Sequence, residues 1–492
     1  MADYKMLIDG KWVDAASGER FESLNPATGE PIGTAPRGGA EDIDKAVKAA
    51  KRAFYEVWRR TDADERGRLL LRIASLIREN AEKLAELHAK ESGHCIRKSR
   101  VLIEATARTF EFHAGLADKV RGDTIPVPGE RISFTRLEPL GVTGHIVPWN
   151  YPLFVMARSC APALALGNTV VVKPSEETPL VTLELARIIQ EAGLPDGVFN
   201  VVTGYGPEAG APLASHPDVE GITFTGSVET GKKVAKMAAD HVAKICLELG
   251  GKTPIIVFPD ADLDQAEEAV LQGILSRAGQ VCIATSRLLV HKDIHEEFVG
   301  RLSERMRNVK VGNPLDEETE VGPLISQRQL DKVAHYVELG LKEGARLVVG
   351  GKRPDDPELQ KGFFYLPTIL DGVRSEMRVA QDEIFGPVLS VITFETEEEA
   401  VRIANDVRYG LAACIWTRDI KRAMRMARDI EAGAVFINDW VAEYVQAPHG
   451  GYKESGVLRE NGLECIVNYT RVKNTVVSLK ERLEEGWFEA PL

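Results

Sequence analysis

Apolar residues recur at helical spacing between Leu69 and Leu87, most clearly Leu69, Ile73, Leu76, Ile77, Leu84 and Leu87, and the run closes on Ser92 and Gly93. That period predicts amphipathic helix, and the first ~125 residues read as a helical layer. From about residue 140 the pattern becomes an alternation of short apolar strands with helices. VTGHIV precedes PLFVMARSCAPALA, and TVVVK precedes PLVTLELARIIQEAG. VFNVV leads into a glycine-containing turn and another helix, GITFTGS into ETGKKVAKMAA, and AKICLELGG follows. Nearly all-apolar strands joined by helices describe a parallel sheet covered on both faces, so the expected fold class is α/β. After Gly251 the alternation restarts with TPIIVF, an acidic helix from Asp262, and RLLVH, which predicts a second α/β domain. Residues 123–138 and 468–480 fit neither domain and read as β-rich arms of the kind that add strands to a neighbouring subunit.

Length and composition narrow the classes. At 492 residues the chain exceeds one ordinary core, and 44% hydrophobic with 27% charged residues is an ordinary soluble balance. A net charge of −13 argues against a nucleic-acid partner, which requires clustered Lys and Arg. No stretch reaches the ~18 apolar residues of a membrane helix, and MADYKMLIDGKWVD lacks the apolar core of a signal peptide, so a cytoplasmic location is the expectation. The six cysteines are scattered without CxxC or zinc-type histidine spacing, which predicts reduced thiols and no metal.

The candidate chemistry centres on Cys282 in SRAGQVCIA and Glu248 in LELGGK. A thiol among small residues, with Gly279 allowing close backbone approach, suits attack on a carbonyl and a thioester intermediate. A carboxylate on a separate segment then suits activation of the water that releases an acid. In an open parallel sheet ligands gather at the carboxyl ends of strands, where TVVVKPSE places Lys173, Pro174, Ser175 and Glu176. Glu176 is positioned to accept hydrogen bonds from an adenosine ribose and to repel a 2′-phosphate, favouring NAD over NADP. In ITFTGSVETGKK a strand runs through Gly226 and Ser227 into a helix whose N-terminus suits a pyrophosphate. Gly204, Gly206 and Gly210 imitate GxGxxG, but the spacing is wrong, and Gly206 reads as a tight turn near the adenine at most.

PWNYP, KPSE, FTGS, LELGGK, GQVCIA, EIFGPV and GGYKESG occur in this order, and over nearly its whole length the chain resembles the aldehyde dehydrogenase superfamily. The resemblance implies a variant Rossmann cofactor domain (1–122 and 139–250), an α/β catalytic domain (251–450) and oligomerisation arms (123–138 and 465–485). It implies NAD as cofactor, with NADP the lesser alternative, a small aldehyde as substrate, and a homo-oligomer, dimer or tetramer. Cys282 would be the nucleophile, Glu248 the base, and Asn150 in PWNYP an oxyanion donor alongside the Cys282 backbone N–H. Pro148, Trp149 and Leu249 would line the cofactor site, and Glu383 and Phe385 would hold the nicotinamide ribose and ring. Many relatives have a lysine directly after the position of Arg158, in a buried relay with the equivalent of Glu460; here that place is Ser159.

Phe154 and Arg158 lie four apart on the helix after PWNYP and share a face directed at Cys282. Arg158, Glu443, Gln446 and His449 together are similar to the pockets of lactaldehyde and glycolaldehyde dehydrogenases. Arg158 alone is similar to succinic semialdehyde dehydrogenases, but Glu443 would repel a distal carboxylate. The plainer alternative is that Arg158 and Glu443 pair with one another for structure alone. Ile283 is apolar where a lactaldehyde-type enzyme presents a polar residue. A non-catalytic structural protein, such as a lens crystallin recruited from this fold, is the alternative from another class, and the presence of Cys282, Glu248 and Asn150 disfavours it.

Overall fold

A computed structural model describes residues 2–440 and 443–481. Two large α/β layers meet, and the alternating part of the sequence accounts for both. The first sheet runs in the order Gly456–Val457, Lys244–Glu248, Gly221–Thr225, Val142–Ile146, Thr169–Lys173, Phe199–Val201, Met6–Ile8 and Lys11–Val13. Its five middle strands are parallel, and the strands added beyond them on either edge are antiparallel. The second sheet runs Arg346–Val349, Thr368–Asp371, Val388–Phe394, Arg287–His291, Pro254–Val257, Ala412–Trp416 and Ala434–Ile437, parallel apart from its first strand.

The first sheet winds both ways from Val142–Ile146. Its sequence neighbour Thr169–Lys173 pairs on one side and the later strand Gly221–Thr225 on the other, so a crevice opens between the carboxyl ends of Val142–Ile146 and Gly221–Thr225. PWNYP follows the first of these ends and FTGS the second. Pro152 starts the helix Pro152–Ala165 at a position where a missing N–H costs nothing. Every residue of that helix except Phe154 is buried, so the continuous apolar run PLFVMARSCAPALA is a core helix rather than an amphipathic one.

The sequence expectations hold for the helices Ala63–Glu79 and Ala81–Ser92, and Gly93 ends the second in the left-handed region at φ +75°. The helical layer is not the whole of the N-terminus, however. Ala2–Asp3, Met6–Ile8, Lys11–Val13, Arg20–Leu24 and Pro31–Pro36 are strands of two to six residues, too short to carry a period-2 signal. The two arm segments pair with one another: Thr470–Ser478 lies antiparallel along the whole of Arg131–Pro139, with Thr124–Ile125 beyond. Residues 482–485 of the expected arm lie outside the described residues.

Candidate active site

Glu248 ends the strand Lys244–Glu248, in register with Thr225 of FTGS. The GGYKESG segment fixes this end. Val457 and Gly456 pair with Leu247 and Glu248, Leu249 N–H donates to the Ser455 carbonyl (2.9 Å), and Ser455 Oγ donates to the Gly250 carbonyl (2.7 Å). Glu248 is thereby buried at a rigid strand end, and two of the sequence motifs are stitched into one wall.

Cys282 arrives from the other layer. The helix Leu263–Leu275 is capped by Asp262, whose carboxylate accepts from Gln265 N–H, and is followed by a turn in which Arg277, Ala278 and Gly279 take φ of +50°, +51° and +72°. Two non-glycine residues in this region cost about 1–2 kcal/mol each, and tertiary contacts hold them there. Buried Arg277 donates to Ser92 Oγ (3.1 Å), the Ser92 carbonyl (2.9 Å) and the Trp149 carbonyl (3.2 Å), tying the turn to PWNYP. A Cβ on Gly279 would fall 2.1 Å from the Gly386 carbonyl oxygen, so the close approach expected there is to the EIFGPV segment.

These pieces enclose a cavity of about 370 Å³. It is lined by Cys282, Glu248 and Asn150; by Pro148, Trp149, Gly226, Ser227, Leu249, Glu383 and Phe385 of the expected cofactor set; and by Phe154, Arg158 and Glu443 of the expected substrate set. Asn150 Nδ2 donates one hydrogen bond to the Gln280 carbonyl (3.1 Å), which orients its amide beside the Cys282 loop. Trp149 and Phe385 meet edge to face at 5.3 Å, and Phe385 sits at φ +61°, with its carbonyl held by Gln329 Nε2 (2.7 Å). Glu383 accepts from Gly251 N–H (3.1 Å), and burial pushes its carboxyl above the usual range.

The expected cofactor residues of the KPSE turn are not in this lining. Lys173 ends the strand Thr169–Lys173 one position along the sheet and Pro174, Ser175 and Glu176 follow it, with buried Lys173 reaching Glu176 at 3.2 Å. Burial lowers the Lys173 pKa, and Glu176 works against that shift. Gly206 opens a single π-helical turn, Gly206–Gly210, also away from the cavity, and a Cβ there would meet nothing within 4 Å.

The polar wall differs from the expected substrate set in three respects. Gln446 is exposed and does not line the cavity, because its loop turns outward before His449. His449 is not in the cavity lining and lies instead against Glu248 and Glu443: its Nε2 is 3.0 Å from Glu248 Oε1 and its Nδ1 is 3.7 Å from Glu443 Oε1. Finally, Arg158 takes over the ionic role that Ser159 lacks. Its Nη1 donates to Glu443 Oε1 at 2.7 Å, while its Nε lies 2.6 Å from Glu460 Oε2 without an aligned N–H, an ionic contact rather than a directed hydrogen bond. Ser159 turns back to the Met156 carbonyl.

The electrostatics follow from this packing. Burial opposes the His449 imidazolium, but Glu443 and Glu248 outweigh burial and hold its pKa well above the ordinary value. Burial alone would raise Glu443; His449 and Arg158 reverse it and keep that carboxyl low. Burial pushes the Cys282 thiol up, His449 pulls it back, and Glu248 adds to the rise. Burial also raises Glu460, against the pull of Arg158.

Arg158→Met would leave Glu460 buried without its cation. A cost of about 3–5 kcal/mol is expected, read as a lowered urea midpoint, and adding Glu460→Gln should recover most of it. If the single variant unfolds at the wild-type midpoint, the pair contributes nothing to the fold.

Tyr151, Val281 and Trp440 also line the cavity and were not singled out from the sequence, although Tyr151 stands inside PWNYP. Gln329 and Lys332 reach it from the helix Gln327–Lys342, whose sequence carries no signal of a site.

A doubly wound sheet whose crevice meets a thiol, a carboxylate and an amide donor defines a class of α/β protein built for covalent chemistry beside a nucleotide crevice. The chain belongs to the aldehyde dehydrogenase family, whose pattern matches residues 12–475. It is 50% identical over 489 residues to a hydroxyisobutyraldehyde dehydrogenase of Mycolicibacterium austroafricanum, covering 99% of this chain and 96% of that protein. It is 47% identical to the betaine aldehyde dehydrogenase of Bacillus subtilis, covering 99% of each. Among solved structures, the betaine aldehyde dehydrogenase of Staphylococcus aureus in complex with NAD+ is 41% identical and superposes with a TM-score of 0.97, covering 99% of this chain and 97% of that one.

Proposed function

We propose that this chain oxidises a small 2-hydroxyaldehyde to its acid with NAD, through a covalent intermediate on Cys282. The observation that carries the reading is the convergence of Cys282, Glu248 and Asn150 on one cavity whose polar wall includes Arg158 and Glu443, with His449 packed against Glu248 and Glu443 outside the lining. The residues present fit the cofactor. Thr225 Oγ1 is buried without a partner among the described residues and lines the cavity, next to the N-terminus of the helix Val228–Ala239, and Trp149, Glu383 and Phe385 line the same space. Bound NAD supplies the hydride acceptor.

The chain's own groups supply the rest. Cys282 Sγ attacks the aldehyde carbon, and the Asn150 amide with the Cys282 backbone N–H receives the oxyanion, one such donor being worth about 3–4 kcal/mol. After oxidation to the thioester, Glu248 takes a proton from water, which attacks the acyl carbon and releases the acid and the thiol. Ile283 and Phe154 give the cavity apolar walls, while Arg158 and Glu443, with His449 beside Glu443, offer donors and acceptors to a substrate hydroxyl. A pocket that pairs a hydroxyl discriminates against analogues lacking it. The hydroxyisobutyraldehyde relative agrees with this chemistry. Arg158 is already matched by Glu443 and Glu460, so it is not a free cation for the distal carboxylate of a semialdehyde.

His449→Phe should lower kcat/KM for lactaldehyde more than for propanal, by about 1–3 kcal/mol or roughly five- to over a hundredfold in the ratio. The ratio separates hydroxyl reading from any effect transmitted through Glu248. Equal losses would move the polar wall to another substrate. NAD should be preferred to NADP, and Glu176→Ser should narrow the preference in kcat/KM by removing a carboxylate that repels a 2′-phosphate. A clear NADP preference in the wild type would reverse the assignment of the KPSE turn.

In the same reading, residues 1–122 and 139–250 serve the cofactor, 251–450 catalysis, and 123–138 with 465–485 association into a homo-oligomer. Ile132, Val472, Val476 and Val477 lie exposed on the arm sheet, which supports a partner there.

A further inference from the structure

We propose that Glu248, Cys282 and His449 form a site for a thiophilic divalent cation of the zinc class, and that occupancy of this site switches the enzyme off. The donor atoms of the three side chains all lie within 4.8 Å of one another. They are a thiol sulfur, an imidazole nitrogen and a carboxylate oxygen, the three donor types found in protein zinc sites. A tetrahedral ion at ordinary bond lengths holds such donors about 3.3–3.8 Å apart, so small side-chain rotations complete the geometry. Cys282 and Glu248 face the cavity, which leaves the fourth position to water, the open arrangement of a site that exchanges its metal.

Charge and support agree with this assignment. A thiolate and a carboxylate supply two negative charges to a divalent ion. Arg158, a nearby cation that would oppose it, is matched by Glu443 at 2.7 Å and Glu460 at 2.6 Å, and His449, favoured as a cation by the same carboxylates, gives up its Nε2 proton as the ion binds. Behind the imidazole, Glu443 Oε1 stands 3.7 Å from His449 Nδ1 while Nε2 faces Glu248, an ionic contact that a small movement would shorten into the carboxylate–histidine hydrogen bond of zinc sites. Binding forms bonds from the metal to Cys282 Sγ, His449 Nε2 and a Glu248 oxygen. The thiol proton, and any proton on His449 Nε2, leave to solvent, and no electron moves. The ion captures the nucleophile and the base together; this inhibitory consequence rests on the proposed function, whereas the binding does not.

The test reads binding without cofactor or aldehyde. Cd2+ titrated into the protein should bind one equivalent, give the ultraviolet thiolate-to-cadmium charge-transfer band, and protect Cys282 from iodoacetamide. The band should vanish in Cys282→Ala. Zn2+ held at defined free concentrations should inhibit aldehyde oxidation, and EDTA should restore it. His449→Phe and His449→Gln should each raise the Zn2+ concentration for half-inhibition by at least about tenfold, and Glu443→Gln by about tenfold. Absence of a bound equivalent, a band that persists in Cys282→Ala, or both His449 variants inhibited at the wild-type Zn2+ concentration would overturn the site. Such a failure leaves the oxidation reading intact, while a wild type that binds Cd2+ but oxidises no aldehyde sinks that reading alone.

Discussion

Cys282→Ala is expected to lower kcat/KM for aldehyde oxidation by at least about 10⁴-fold while NAD affinity stays within about twofold of wild type. The expectation rests on where the thiol comes from. It is delivered by a turn in the left-handed region at Arg277, Ala278 and Gly279, pinned to PWNYP through Arg277. The remaining cysteines among the described residues are buried, so none is placed to substitute. The crevice residues Gly226, Ser227, Leu249 and Glu383 belong to other segments and do not depend on the sulfur. The check is NADH formation with lactaldehyde beside calorimetric titration with NAD. A loss of less than tenfold would remove Cys282 as the nucleophile, and a parallel loss of NAD binding would mean that the substitution disturbed the crevice instead.

Glu248→Gln is expected to reduce steady turnover by about 10²–10⁴-fold, the usual contribution of a general base, with less effect on the first turnover. Its carboxylate sits at a strand end fixed by Ser455 and Gly456, and Gln keeps the size of the side chain while losing the basic oxygen. A stopped-flow record should therefore show one burst of NADH per site followed by a slow phase. Disappearance of the burst along with steady turnover would place Glu248 in the thiol-activating step rather than in hydrolysis.

What the sequence shows and what it hides divide along physical lines. The strands Val142–Ile146, Thr169–Lys173 and Gly221–Thr225 are buried along all or nearly all their length, so they read as short, largely apolar runs, and their order with the intervening helices made a parallel sheet legible. The N-terminal strands were not legible, because pairs such as Met6–Ile8 with Lys11–Val13 are too short to show a period. The candidate catalytic segments could be named because each is a compact motif. Their mutual arrangement could not. His449 stands 201 residues from Glu248 in sequence, and only the return of Gly456–Val457 to the edge of the first sheet brings the two within 3.0 Å. The proximity of Glu248, Cys282 and His449 is hidden in the same way, because they come from a strand end, a helix-following turn and a loop and share no local spacing. Arg158 was legible as an unusual charge on an apolar helix. Its second partner, Glu460, shows only when the fold closes, and that closure matches the charge of a cation that still lines the cavity.

The central claim is a thioester on Cys282, and a trapped intermediate tests it most directly. Glu248→Gln should be mixed with NAD and lactaldehyde, quenched in acid within the first turnover, digested, and analysed by mass spectrometry. The account predicts that the peptide containing Cys282 gains the mass of one lactoyl group, that omission of NAD prevents the gain, and that Cys282→Ala in the same background removes it. NADH production with no acyl adduct on that peptide, or an adduct on another residue, would contradict it.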